Sequence, residues 1–182
     1  MVQRLSIISV VPEEYLTEIH QIKKTLCSYA HSHASLQFPP HITLAHIKIQ
    51  DGELEQTLEK IGNISKNLEG CRVHLQGISC GTYQEKGKTK YHVKFNVEPN
   101  SQLIEVHKSL KELNELDKSN LGGSNYHITL VFGDLTEENY IGLREYLSRH
   151  KEFDKKFTYT CNDLSVLIRE GNLWRIIKSF EV

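Results

Sequence analysis

The tetrapeptide HITL occupies residues 41–44 and occurs again at residues 127–130. The two copies are 86 residues apart. The same interval separates the starts of two further pairs of apolar segments, Leu5 from Tyr91 and Cys71 from Phe157. Three landmarks with one offset indicate an internal duplication of about 86 residues. Two such units are expected to pair about a pseudo-twofold axis.

Each unit carries the same order of predicted elements, β-α-β-α-β. Short runs rich in β-branched residues predict strands at 4–11, 41–49, 71–79, 91–97, 126–132 and 157–169. Apolar residues at three- and four-residue steps predict helices after Pro12, Gly52, Pro99 and Thr136, the third reaching Leu116. A hairpin around Glu170 and Gly171 closes the chain. We therefore expect an α+β fold, a bilobal molecule of duplicated β-α-β-α-β units with two antiparallel sheets flanking a central cleft.

Length and composition describe one globular domain. With 182 residues, the chain is long enough for a single core shared by two lobes, at about 1–82 and about 88–182. The four cysteines form no C-x-x-C pair, which is typical of reduced thiols in a cytosolic protein. The apolar run at 5–11 is too short for a signal sequence or a membrane span. We expect a cytoplasmic monomer that does not bind membranes.

The charge balance restricts the ligand. Lys and Arg number 22 and Asp and Glu number 23, which gives a net charge of -1. A protein that grips long duplex nucleic acid needs a basic face to neutralise many phosphates. We therefore expect a small nucleotide or an RNA end as the ligand, and no long duplex.

The repeated motif places a histidine and a threonine on the same side of each strand. Alternate residues of a strand share a face, so His41 lies with Thr43 and His127 with Thr129. A cleft between two lobes brings the four side chains together. Near pH 7 one imidazole can be neutral and accept a proton while the other is cationic and donates one, and a threonine hydroxyl can donate to a phosphate oxygen. The pattern favours a phosphodiester substrate, cleaved without a metal or a cofactor.

The residues around the motifs resemble a known family. FPPHITLAHI at 38–47 and NYHITLVFG at 125–133 resemble the paired H-x-[ST]-hydrophobic signatures of the 2H (two-histidine) phosphoesterase superfamily, and the resemblance covers nearly the whole chain. HITLVFGDLTEEN at 127–139 is most similar to the cyclic phosphodiesterase, LigT-like branch. In that branch an aromatic residue follows the second histidine by five positions, which here is Phe132.

The resemblance implies a metal-independent hydrolase of 2′,3′-cyclic phosphates on nucleotides or RNA ends, or of ADP-ribose 1″,2″-cyclic phosphate. It implies His41 and His127 as the catalytic acid/base pair and Thr43 and Thr129 as phosphate-binding residues. Phe132 becomes a candidate substrate-binding residue. The RNA-ligase-like branch often has arginine five positions after a motif histidine, whereas this chain has His46 and Phe132 there. This departure argues against ligation or cleavage of long RNA.

Two other functions stay open at this point. The same four residues would serve a 2′,5′-oligonucleotide phosphodiesterase, in which the vicinal 3′-hydroxyl is the nucleophile. They would also suit a non-catalytic module that binds a nucleotide or an RNA end.

Other residues have weaker links to function. Trp174, on the last strand, is a candidate substrate-binding residue, with core packing as the alternative. Tyr83, Tyr126 and Phe38 are able to stack on a base, but we expect them in the core. The lysines of 84–90 are expected on a solvated hairpin tip. The ten histidines show none of the spacings of known zinc motifs, so no metal site is expected.

Overall fold

The computed structural model describes residues 2–113, 125–171 and 173–182. Its strands are β1 (Val2–Val10), β2 (His41–Gln50), β3 (Arg72–Glu85), β4 (Lys88–Val97), β5 (His127–Phe132), β6 (Lys156–Thr160), β7 (Asp163–Glu170) and β8 (Leu173–Glu181). Its helices are α1 (Glu13–Tyr29), α2 (Leu54–Ser65), α3 (Ser101–Glu112) and α4 (Glu137–Arg149). Leu116, predicted at the end of the third helix, lies outside the described residues.

The strands form one antiparallel sheet in the order β6-β3-β4-β5-β2-β1-β7-β8. It consists of two four-stranded halves, which meet where β2 and β5 are joined by the single register pair Ile42 and Ile128. The predicted mixed fold with antiparallel pairing is therefore confirmed. The two predicted sheets are continuous with each other, because the two motif strands pair directly at the centre.

The two halves of the sheet do not follow the division of the chain near 82–88. Strand β3 pairs with β4 and β6, whereas the closing hairpin β7–β8 pairs with β1. The topological counterpart of β3 is therefore β7, and the equal spacing of Cys71 and Phe157 does not mark equivalent strands. The prediction of one strand over 157–169 is also wrong. The β6 ladder ends where the Cys161 amide donates to the Cys71 carbonyl, and the chain then crosses to the other half of the sheet.

Local sequence signals fix the ends of several elements. The Thr136 hydroxyl accepts from the Asn139 amide and caps α4 as expected from the sequence. The hairpin between β3 and β4 turns at Lys86 and Gly87, both in the left-handed region with φ of 49° and 74°. Two consecutive residues of positive φ form the turn whose twist matches antiparallel strands, which confirms the predicted hairpin tip.

The helices tie the two halves together. Helix α1 and the short turn Ala34–Gln37 contact β5, while α3 contacts β2. Each of these helices therefore packs against the motif strand of the other repeat unit. None of the helices in the described ranges is long and apolar enough to cross a membrane.

Candidate active site

The motif residues of β2 and β5 lie side by side at the centre of the sheet. Ile42 and Ile128, the single register pair of the two strands, are each flanked by a motif histidine and a motif threonine, so the four polar residues lie on either side of this pair. The four polar side chains are half-buried, and the isoleucines and leucines between them are buried on the opposite face. The structure thus brings together the four residues that the sequence singles out.

Both histidine rings are fixed in the same way. Nδ1 of His41 donates to the Pro39 carbonyl at 2.7 Å, and Nδ1 of His127 donates to the Asn125 carbonyl at 2.9 Å. Because a carbonyl oxygen only accepts, each Nδ1 carries a proton. Nε2 is then the ring atom that can gain or lose a proton toward a ligand. The two rings are equivalent in this respect, which suits a pair in which one accepts a proton and the other donates one.

Burial lowers the pKa of both histidines from the ordinary value of about 6.5. Nearby positive charge adds to this effect on the pKa, from Lys23 at His41 and from Lys94 at His127. The carbonyl hydrogen bonds oppose the shift in both rings, since a donor bond favours the protonated imidazole. The neutral forms are therefore favoured in the absence of an anionic ligand.

The four side chains line a cleft with two compartments. The first has a volume of about 360 Å³ and contains His41, and the second has about 630 Å³ and contains His127. Both compartments share a wall formed by Thr43, His46, Thr129 and Phe132. A phosphate placed on this wall would lie within the cleft between the two histidines.

The walls of the two compartments differ in chemistry. The two compartments are about equally accessible, and the names used for them are labels only. The first, which we call the closed compartment, is lined by Lys23, Phe38, Leu167 and Trp174 among others. The second, which we call the open compartment, is lined by Tyr83, His92 and Lys94. The ring of His92 stacks against that of His127, with 6.5 Å between their centroids. The closed compartment has apolar side chains beside its motif residues, two serines, His46 and Lys23, whereas the side chains of the open one are mainly polar, with Lys94, Lys111 and Glu85 among them.

The two candidate substrate-binding residues both lie in the cleft. Phe132 is 41% exposed, belongs to the shared wall and stacks on Tyr83 with 5.9 Å between ring centroids. Trp174 is half-buried in the closed compartment, where its ring lies 6.3 Å from that of His46. Their role in binding substrate stays a prediction.

The structure corrects the expectation that Tyr83 and Phe38 belong to the core. Both are half-buried and line the cleft, Tyr83 in the open and Phe38 in the closed compartment. Tyr83 lies near the end of the long β3 strand, where its ring stacks on that of Phe132. The expectation for Tyr126 is met, since its ring is 4% exposed and its hydroxyl donates to the Leu103 carbonyl at 2.9 Å. At the hairpin tip Lys86 and Lys88 are exposed, and Glu85 lines the open compartment.

One charged residue of the closed compartment was not predicted from the sequence. Lys23 is 2% exposed, its Nζ donates to the Phe38 carbonyl at 3.0 Å, and burial lowers its pKa to about 8. A signal for it exists in the sequence. Lys23 falls four residues after the buried Ile19 and four before the buried Cys27, in the apolar stripe of α1 where a hydrophobic residue is expected.

His92 and Lys94 were also not predicted as site residues. On β4 they alternate with core residues, a pattern that is typical of the solvent-facing side of a strand. Their proximity to His127 depends on the pairing of β4 with β5, which the sequence does not reveal. Within the described ranges, no group of three or more His, Cys, Asp or Glu residues could hold a metal ion.

Known proteins share the sequence pattern and the fold of this chain. A family model described as the 2′-5′ RNA ligase superfamily matches residues 11–173. The protein TT0787 of Thermus thermophilus has a similar structure, with 14% identity, 98% of this chain and 97% of that one covered, and a TM-score of 0.65. Kluyveromyces marxianus Usb1 with uridine monophosphate gives 14% identity, 100% and 98% coverage and a TM-score of 0.59.

Escherichia coli LigT in apo form is a third similar structure, at 14% identity, 100% and 98% coverage and a TM-score of 0.57. At this identity the structural likeness shows a shared fold. A search of curated protein sequences found no match.

Proposed function

The chain belongs to the 2′-5′ RNA ligase superfamily, a group of 2H phosphoesterases, and from this premise we propose that it is a metal-independent phosphodiesterase. Its proposed substrates are the 2′,3′-cyclic phosphates of nucleotides or RNA ends. The observation that carries the proposal is the matched pair of histidines, each held through Nδ1 by the carbonyl two residues before it and each lining one side of a single cleft.

The histidines supply the proton transfers. Nε2 of the neutral histidine removes a proton from a water molecule, whose oxygen attacks phosphorus in line with the departing ribose oxygen. The P–O bond to that ribose oxygen breaks, and Nε2 of the protonated histidine donates its proton to it. The product is a nucleoside monophosphate, and the pair is left with the opposite protonation pattern. Since both rings are fixed alike, the orientation of the substrate decides which of His41 and His127 is the base.

The threonines act on the charge that develops at phosphorus. Thr43 and Thr129 belong to the wall shared by both compartments, where a phosphate would lie. A hydroxyl that donates to a non-bridging oxygen stabilises the pentacoordinate transition state more than the substrate, because the negative charge on the oxygens increases.

The two-compartment cleft also favours a second candidate, a 2′,5′-oligonucleotide phosphodiesterase. Such a linear diester has a nucleoside on each side of phosphorus, and the cleft has an aromatic residue in each compartment, Tyr83 and Trp174. In this reaction the neutral histidine takes its proton from the vicinal 3′-hydroxyl, which attacks phosphorus and forms a cyclic phosphate. The other histidine protonates the departing 5′-oxygen.

The proposal is tested by incubating the protein with 2′,3′-cyclic AMP or with 2′,5′-ApA in the presence of EDTA and identifying the products by phosphorus NMR. We expect a monophosphate from the first substrate at a rate that EDTA does not change, because the histidines replace the metal in activating water. A preparation of the double variant His41→Ala/His127→Ala controls for contaminating hydrolases. Tight binding of both compounds without turnover would indicate a binding module, and loss of activity in EDTA with recovery on a divalent ion would contradict the mechanism.

A further inference from the structure

Lys23 lies on the buried face of α1 and lines the closed compartment. It is 2% exposed, and its Nζ donates to the Phe38 carbonyl at 3.0 Å. The next carbonyl along the chain, that of Pro39, accepts the hydrogen bond from Nδ1 of His41. One short segment of backbone therefore anchors both the ammonium and the histidine, and both side chains line the same compartment.

The ammonium is not matched by a carboxylate. None of the ion pairs in the described part of the chain includes Lys23, and no aspartate or glutamate is among the residues lining the closed compartment. An ammonium that is removed from water is unfavourable unless an anion or further acceptors compensate for the lost hydration. The Phe38 carbonyl accepts one hydrogen bond from the ammonium. An ammonium has three N–H donors, so it can donate further hydrogen bonds to a ligand.

The motif residues that share the compartment with Lys23 point to a particular kind of anion. His41, Thr43 and Thr129 line it together with Lys23, and all of them donate hydrogen bonds when the histidine is protonated. Donors that converge in a chamber with apolar walls select a compact anion with several acceptor oxygens. A phosphate group has these properties, and a lysine recognises it as a point charge that needs no bidentate geometry.

We propose that Lys23 is a phosphate-binding residue of the cleft, donating from Nζ to a non-bridging oxygen of the phosphate that Thr43 and Thr129 hold. The inference rests on the proposed function and extends it, since it names a fifth group on the reacting phosphate. The diester substrate carries one negative charge, whereas the pentacoordinate transition state and the monophosphate product approach two. Lys23 therefore stabilises the transition state and the product more than the substrate.

The direct test measures binding of inorganic phosphate to the wild-type protein and to Lys23→Met, by the broadening of the phosphorus NMR signal on titration. The matched control is Lys24→Met, because Lys24 is the next residue of the same helix and is exposed. We expect phosphate to bind at least tenfold more weakly to Lys23→Met and with unchanged affinity to Lys24→Met. No broadening by the wild-type protein, or equal affinity of the wild-type protein and Lys23→Met, would overturn the inference.

A second readout separates binding from a role in folding. Circular dichroism and thermal unfolding establish that Lys23→Met is folded, and if it is not, Lys23→Gln is measured in its place with the same expectation. On a cyclic phosphate, kcat should fall by about 10- to 100-fold with a smaller change in KM, because the transition state carries more charge than the substrate. A change in KM alone would contradict the preference for the transition state. If no phosphodiester is cleaved by the wild-type protein, the proposed function fails, while the difference in phosphate affinity between Lys23→Met and Lys24→Met still decides the role of Lys23.

Discussion

The closed and open compartments contain the same catalytic pattern in different surroundings. Each has one histidine held by a backbone carbonyl, and the two threonines stand on their common wall. The closed compartment surrounds His41 with apolar side chains and a buried lysine, whereas the open one surrounds His127 with His92, Lys94 and Tyr83. The two repeat units therefore have equivalent reacting groups but differ in the walls around them. Substitution of the reacting groups should therefore lower kcat equally in the two compartments, whereas substitution of the surrounding residues should change KM unequally.

The largest effect is expected from the histidines. His41→Ala and His127→Ala should each lower kcat by about 10² to 10⁴, because each removes one of the two proton transfers. Losses of similar size on the two sides would confirm that the compartments are chemically equivalent. Circular dichroism spectra should match those of the wild-type protein, since both side chains face the cleft. Full activity in either variant would remove that histidine from the mechanism.

The threonines should give a smaller loss, again equal on the two sides. Thr43→Ala and Thr129→Ala should each lower kcat by about 10²-fold, the contribution of one donor to a developing oxyanion. Valine at the same positions keeps the β-branched shape without the hydroxyl and serves as the control for packing. A valine variant as active as the wild-type protein would show that the hydroxyl does not contact the phosphate.

The KM for substrate should depend on which compartment carries the substitution. If a cyclic mononucleotide places its base in one compartment, only one of Tyr83→Ala and Trp174→Ala should raise KM, by about tenfold, the usual loss when one base loses its stacking partner. For 2′,5′-ApA both variants should raise KM, because each compartment receives one base. Leu173→Ala is the matched control, since this neighbour of Trp174 is 69% exposed and lines neither compartment. KM is measured by steady-state kinetics with both substrates. KM values equal to that of the wild-type protein in all three variants would contradict binding of a base in either compartment.

The smallest effect concerns stability and is confined to the closed compartment. The pKa of Lys23 is about 8 in the folded protein and 10.5 in the unfolded chain, so the unfolded chain binds more protons between these pH values. Below pH 8 the buried ammonium thus costs about 3 kcal/mol, and the cost disappears as pH rises toward 10.5. Without phosphate, Lys23→Met should unfold at higher urea concentration than the wild-type protein at pH 7 and at the same concentration near pH 10.5. Lys24→Met should show no such difference, and a less stable Lys23→Met at pH 7 would contradict the unfavourable burial.

The sequence predicts the parts of this molecule that depend on local pattern. The repeated HITL, with alternation that puts isoleucine and leucine in the core, is enough to place the motif residues on one face of each strand. The helix after Thr136 and the hairpin tip at Gly87 follow in the same way from a cap and a glycine.

The long-range pairing of strands could not be predicted from the sequence. The exchange of β3 and β7 between the two halves leaves no periodic signal, so the equal spacing of Cys71 and Phe157 suggested a false equivalence. Tyr83 was assigned to the core because its partner, Phe132, lies on another strand. Lys23 is a charged residue within the apolar stripe of α1. Such exceptions to a local pattern are expected at functional sites.

The dependence of kcat/KM on pH tests most directly whether the paired histidines exchange protons with the substrate. Burial lowers the pKa of both His41 and His127, so we expect a bell-shaped profile with an optimum below about pH 6.5, its acid limb set by the base and its alkaline limb by the acid. The two limbs belong to the coupled pair. Thr43→Ala should lower the whole curve and keep its shape, because a hydroxyl does not titrate in this range. A profile that is flat from pH 5 to 9 for the wild-type protein, with the chemical step shown to be rate-limiting, would contradict acid/base catalysis by His41 and His127.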